Sequence, residues 1–195
     1  MQRLKFLRNQ LGLTQADLAK MLNITQGALN HYERGLTEPP IEKMQQMAQI
    51  LHTTIDFLTG RTNKMLYPVL GSIAAGEPLL AEGNIVDYQE FDFEPSLDKE
   101  YMVLNVHGNS MYPFYLEGDR VLVELGNCEV EKNRVYAVRV GNQATMKMVD
   151  CKTDGMVLVA YNMDVFPPKF YNEQECRDLP VTIIGTVKAL SRKID

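Results

Sequence analysis

The spacing of apolar residues changes character once along this chain, near Gly60-Arg61, and that change limits the possible folds more than any other feature. Before it, apolar residues recur every three or four positions and strand-like alternation is absent, the signature of short amphipathic helices. The spacing predicts five of them, over about 2–11, 15–22, 26–34, 40–51 and 54–59. Thr14 and Thr25 each precede a helix-forming stretch and can accept an otherwise orphaned backbone N–H bond as N-caps. Gly35 closes the third helix, and Pro39-Pro40 suits the start of the fourth. After Gly60-Arg61, RTNKMLYP reads as a short polar connector. From residue 66 onward, β-branched and aromatic residues gather into short runs (YMVLNV, DRVLVEL, RVYAVRV, ATMKMV, GMVLVAY, VTIIGTVKAL) separated by turn formers such as EGD, VGN and KTDG. The expected architecture is a multidomain chain: an all-α five-helix head over 1–60, a linker over 61–67, and a mainly β body over 68–195 with a strongly bent or barrel-like sheet. At 195 residues the chain has room for two modest domains.

Composition excludes several classes of function. Hydrophobic residues at 45% and charged residues at 23% are ordinary for a soluble globular protein. No run approaches 18 uninterrupted apolar residues, so no membrane span or membrane partner is expected. MQRLKFLRNQLGLTQ lacks the apolar stretch and small-residue cleavage site of an export signal. Three cysteines, Cys128, Cys151 and Cys176, are an odd number without a CxxC, which fits free thiols in the cytoplasm. Neither a metal site nor a cofactor is expected. Charge is divided unevenly: residues 1–64 carry eight Lys/Arg against five Asp/Glu, and residues 65–195 carry twelve against twenty. The head is therefore mildly basic and the body acidic, so only the head suits a polyanion.

Within the head, the second and third helices run from Gln15 to Arg34 around a turn at Asn23-Ile24. Leu18, Ala19, Leu22, Ile24 and Leu29 fall on the face that would hold two short helices together. The outward face of the third helix carries Gln26, Gly27, Asn30 and His31, where Gln and Asn can bond the N6/N7 edge of adenine. Gln15 opens the second helix, where side chain and backbone N–H can meet a phosphate. The stretch TQADLAKMLNITQGALNHYERG resembles the Cro/CI-type helix-turn-helix family of phage and bacterial repressors, with a lambda-repressor-like head. The resemblance implies operator double-stranded DNA as partner, with contacts from Gln15, Thr25, Gln26, Gly27, Asn30 and His31. It also implies a structural ion pair between Arg8 and Glu33.

Three short elements of the body share a chemistry. Ser110 lies in HGNSMYP, 34 positions after Gly76, and Lys147 lies in QATMKMV, 37 positions after the serine. A serine hydroxyl is a poor nucleophile until a base removes its proton. His107 is too close in sequence for an ordinary triad and reads as a strand-end histidine. Lysine serves only when neutral, and about one in a thousand is neutral at pH 7.4 at its usual pKa. Burial among apolar groups can lower that pKa to about 7, at roughly 4–5 kcal/mol. HGNSMYP followed by ATMKMV resembles the LexA-like peptidase family, which includes lambda-type CI repressors and UmuD proteins and shares its fold with signal peptidases. GSIAAGEPLLAEG resembles that family's cleavage segment. The resemblance implies Ser110 as nucleophile, Lys147 as general base and Ala75-Gly76 as the scissile bond, with Ala74-Ala75 the second choice. The backbone N–H groups around Asn109 to Met111 are the expected oxyanion donors.

A DNA-reading head joined to a self-cleaving body would be a repressor that inactivates itself. The acidic body is the expected homodimerisation module, and VTIIGTVKAL is expected either in the dimer interface or as an internal strand. The resemblance implies activated RecA filament as the trigger. Two other readings share parts of the pattern: a non-cleaving repressor relieved by an antirepressor protein, and a peptidase acting on other proteins.

Overall fold

The computed structural model describes residues 1–71, 80, 84–126, 129–141 and 143–192. The expected scissile pair Ala75 and Gly76, and Cys128, lie outside the described residues. The chain divides into two units, Met1–Leu66 with Glu90–Glu100, and Tyr67–Gln89 with Tyr101–Asp195.

The first unit contains five helices: α1 (Gln2–Gln10), α2 (Gln15–Met21), α3 (Gln26–Arg34), α4 (Ile41–Ile50) and α5 (Ile55–Thr59). Their ends follow from local chemistry. Thr14 caps α2 in a reciprocal box with Asp17, and Thr25 caps α3 by accepting from the Ala28 N–H. Gly35 ends α3 in the left-handed region at φ 71°, and Pro40 is the N-cap of α4. Thr54 and Gly60 do the same for α5. Leu18, Ala19, Leu22 and Leu29 are buried, as their spacing predicts, while Ile24 is half-buried.

The second unit is built on a sheet of nine strands among the described residues: β1 (Lys64–Leu70), β2 (Ile85–Asp92), β3 (Tyr101–Asn105), β4 (Arg120–Leu125), β5 (Val135–Val140), β6 (Gln143–Lys152), β7 (Gly155–Val159), β8 (Lys169–Asn172) and β9 (Val181–Ser191). Their order is β2-β1-β3-β4-β9-β5-β6-β7-β8. A short helix, α6 (Glu173–Asp178), follows β8. One expectation needs amendment, and one open choice is decided. RTNKMLYP is polar only at its start. From Lys64 on it forms β1, in which Tyr67, Val69 and Leu70 are buried, each burial stabilising the body by roughly 1.5–3 kcal/mol. The parallel ladder to β3 begins beyond Pro68, at Val69↔Val103, so the missing N–H costs no bond on that edge. VTIIGTVKAL, for its part, is an internal strand: β9 lies between β4 and β5 and pairs antiparallel with both.

Alternation along the strands sorts the core. Met102, Leu104, Val121, Val123, Val135, Ala137, Met146 and Ile184 pack in one cluster, and Tyr136, Val138, Val149, Leu158 and Tyr171 in a second. Register shifts at Leu122/Val123 and at Ala137/Val138, both against β9, bend the sheet where its halves meet. Gly185 sits at that bend, and a Cβ there would lie 2.0 Å from the Glu124 carbonyl oxygen. Gly185→Ala is therefore expected to destabilise the protein by about 1–3 kcal/mol, read as a lower urea midpoint with unchanged m-value.

Candidate functional site

Ser110 is placed by the loop between β3 and β4, and that loop is closed at its base. The Gly118 N–H donates to the Val106 carbonyl and the Val106 N–H to the Asp119 carbonyl. The buried Asp119 carboxylate accepts from the Leu116 N–H at 2.7 Å and from the Arg192 guanidinium at 2.8 and 2.7 Å. Arg192 also donates to the Phe114 carbonyl. The bidentate pairing with Arg192 holds the Asp119 pKa below the usual carboxylate range despite burial. From the other side, the Asn162 N–H donates to the Ser110 carbonyl at 2.9 Å and its side-chain amide to the Asn109 carbonyl at 3.2 Å.

Lys147 comes from β6, register partner of Tyr136 on β5, and only 2% of its surface is exposed. Its neighbours Met146 and Met148 pack in the cluster on the opposite strand face, so sequence neighbours are not what buries it. Its Nζ lies 3.0 Å from Ser110 Oγ, 2.9 Å from Thr145 Oγ1 and 2.8 Å from the Met146 carbonyl oxygen. The Phe166 ring centroid is 4.6 Å from Nζ. Desolvation pulls the amine pKa from its ordinary 10.5 down to about 8. At that value roughly one-fifth of molecules hold a neutral amine at pH 7.4. The neutral group matches its surroundings in number: two N–H bonds for Thr145 and Met146, and a lone pair for the serine hydroxyl.

A cleft of about 420 Å³ opens onto the serine, lined by Leu70, Gly71, His107, Ser110, Gln143 and Thr145 among others. His107 is an exposed wall residue paired with Glu117 at 3.1 Å, as its strand-end position suggests. The Gly71 N–H, at the cleft wall, donates to the Asn84 carbonyl at 3.0 Å. Thr145, Asn162, Phe166 and the Asp119–Arg192 clamp were not apparent from the sequence. Only Thr145 left a signal there, since it lies two positions before Lys147 and so on the same strand face.

In the head, Gln26, Gly27 and His31 are exposed on α3, Asn30 is half-buried, and Thr25 is exposed with its hydroxyl engaged as a cap. The Arg8–Glu33 ion pair is present and buried, at 2.6 Å. It also fixes Gln15, whose Nε2 donates to Glu33 Oε2 at 2.8 Å, leaving its second N–H and its carbonyl for other partners. Among the described residues, no group of acidic, histidine and cysteine side chains suits a metal, and no helix is long and apolar enough to cross a membrane.

Fold and site together define a class of protein, a helix-turn-helix head continued into a β body of serine-peptidase type. The Peptidase S24-like family model matches residues 68–188, and the helix-turn-helix model matches residues 4–58; the chain belongs to the Peptidase S24-like family and carries a helix-turn-helix domain before it. It is similar to the LexA repressor of Shewanella frigidimarina (strain NCIMB 400), 33% identical over 132 residues, covering 66% of this chain and 61% of the relative. The LexA repressor of Clostridioides difficile (strain 630) is 32% identical over 128 residues, 65% of this chain and 58% of the relative. That of Colwellia psychrerythraea (strain 34H / ATCC BAA-681) is 35% identical over 106 residues, 52% and 48% of the two chains. The matched stretch thus spans about half to three-fifths of these relatives' length.

The depressed lysine pKa has a consequence for stability. The folded value lies below the unfolded one, so between about pH 8 and 10.5 the unfolded chain holds the extra proton. Stability from this group is full above 10.5 and lost as pH falls through about 8. The unfolding free energy of wild type minus that of Lys147→Met should therefore rise by about 3 kcal/mol from pH 6.5 to pH 11, measured by denaturant titration at each pH.

Proposed function

We propose that this protein is a transcriptional repressor that reads operator DNA with α3 and inactivates itself by cutting its own Ala75–Gly76 bond. The observation that carries this reading is the buried Lys147 amine 3.0 Å from Ser110 Oγ, the serine itself lining a cleft whose wall includes Gly71. Ala75 is four residues beyond Gly71, a reach of up to about 14 Å of extended chain. The tethered segment therefore needs no second molecule to supply substrate, and its effective concentration is high.

The neutral Lys147 amine takes the hydroxyl proton as Ser110 Oγ attacks the Ala75 carbonyl carbon. Backbone N–H groups around Asn109 to Met111 receive the oxyanion. As the C–N bond breaks, the Lys147 ammonium gives its proton to the Gly76 nitrogen, leaving an ester between Ser110 and Ala75. Water, deprotonated by the same amine, then hydrolyses the ester. The body serves as homodimeriser, so loss of the covalent link lowers operator affinity by lost bivalency while every base contact survives. The family resemblance read from the sequence makes activated RecA filament the accelerant, acting by favouring the docked state of the segment.

Mass spectrometry of purified protein across pH 6–10 tests the reaction. The expected products are residues 1–75 and 76–195, with a rate that climbs through about pH 8, where Lys147 loses its proton, and levels above it. Ser110→Ala and Lys147→Ala should give no product at any pH; a wild type intact throughout, RecA included, would reject the autopeptidase. For the head, Gln26→Ala should weaken binding to an operator selected from random duplexes by about ten-fold or more, with non-specific binding unchanged.

A further inference from the structure

The proposed cut falls between two strands that are neighbours in the sheet, and it divides them between products. β1 is an inner strand with β2 on one side and β3 on the other. Val69 and Leu70 pair in parallel with Val103 and Leu104, and the Gly71 N–H bonds the Asn84 carbonyl. Tyr67 and Val69 are fully buried, the Tyr67 ring meeting Tyr101 edge-on at 5.8 Å. Leu70 belongs to the cluster that contains Met111 and Met146, the residues next to Ser110 and Lys147. A break at Ala75–Gly76 leaves β1 on the head fragment, while both of its partners, β2 and β3, stay on the body fragment.

We infer that the body carries a strand-binding groove between β2 and β3 whose occupant is residues 67–71 of the severed head fragment. Self-cleavage then yields a nicked two-chain complex first, and separate products only after β1 leaves. The inference rests on the proposed cleavage reading for the position of the cut alone. Three features hold the strand in place: ladder bonds along two edges, buried side chains on an inner strand, and a place in the core behind the serine. None of them depends on the Ala75–Gly76 bond being intact. Leaving the groove exposes two strand edges at once and empties one wall of the core, so exit is a separate step with its own barrier after the cut. Until it happens the head remains attached to its dimeriser, and operator binding persists in cut molecules.

The test uses the full chain carrying Ser110→Ala, with residues 74–79 replaced by the recognition sequence of a site-specific protease. Cutting is then external, and the result does not depend on whether the protein cleaves itself. After cutting, native mass spectrometry and gel filtration at micromolar concentration should show both fragments at the mass of the intact chain, separating only in denaturant. Val69→Ala in the same background should shorten the retention half-time by about ten-fold or more, as expected for a cavity under the strand. Should that variant unfold before cutting, an excess of synthetic peptide 64–75 added to the parent complex should displace a labelled head fragment. Fragments that elute apart immediately after cutting would overturn the groove, as would retention that neither Val69→Ala nor the peptide changes.

Discussion

A lysine amine kept out of water is the constraint around which the body is arranged. Burying a cation is costly, and the cost appears as a lowered pKa, so that a minority of molecules already hold the neutral amine at neutral pH. That solution works only if the neutral amine finds partners that suit it. Thr145, Met146 and Ser110 supply three, each at 2.8–3.0 Å. The Phe166 ring has two opposing effects, since its face attracts the ammonium while its bulk keeps water away. Desolvation by burial is what draws the pKa down to about 8. Asn162 links the parts, because its backbone touches both the serine loop and, through its carbonyl, the turn leading to Phe166.

What the sequence reveals of this arrangement follows the range of the interactions involved. Helix ends in the head depend on contacts three or four residues apart, so Thr14, Thr25 and Gly35 could be read directly. The lysine and serine could be named because their motifs are local, yet nothing local states that they meet. The Asp119–Arg192 clamp joins residues 73 positions apart, and an aspartate in EGD reads simply as a turn former. β1 escaped notice for a different reason. Arg61, Thr62, Asn63 and Lys64 open the stretch and Pro68 interrupts it, and a polar start with a proline is the ordinary appearance of a connector. Its strand character comes from partners on either side that lie well beyond it in the chain.

The two halves of the molecule also place their buried charges to different ends. In the head, Arg8, Glu33 and Gln15 are linked in series, so that the ion pair orients a residue at the start of α2. In the body, the Asp119–Arg192 pair fastens the loop that carries the serine. Both use the planar guanidinium against a carboxylate, an arrangement valued for fixed geometry more than for net stability. Lys147 alone is left without a carboxylate at hydrogen-bond distance in the described contacts, and its pKa is the one pulled down towards neutrality.

The position of β9 bears on when the Ser110–Lys147 pair can form during synthesis. Ser110 belongs to the β3–β4 side of the sheet and Lys147 to the β5–β6 side, and β9 is the strand that joins them. It is also translated after all four. A nascent chain that has already exposed its serine, its lysine and Ala75–Gly76 outside the ribosome still lacks the strand that brings the first two together. Under the proposed self-cleavage, order of manufacture therefore delays the pairing of serine and lysine until β9 has been made.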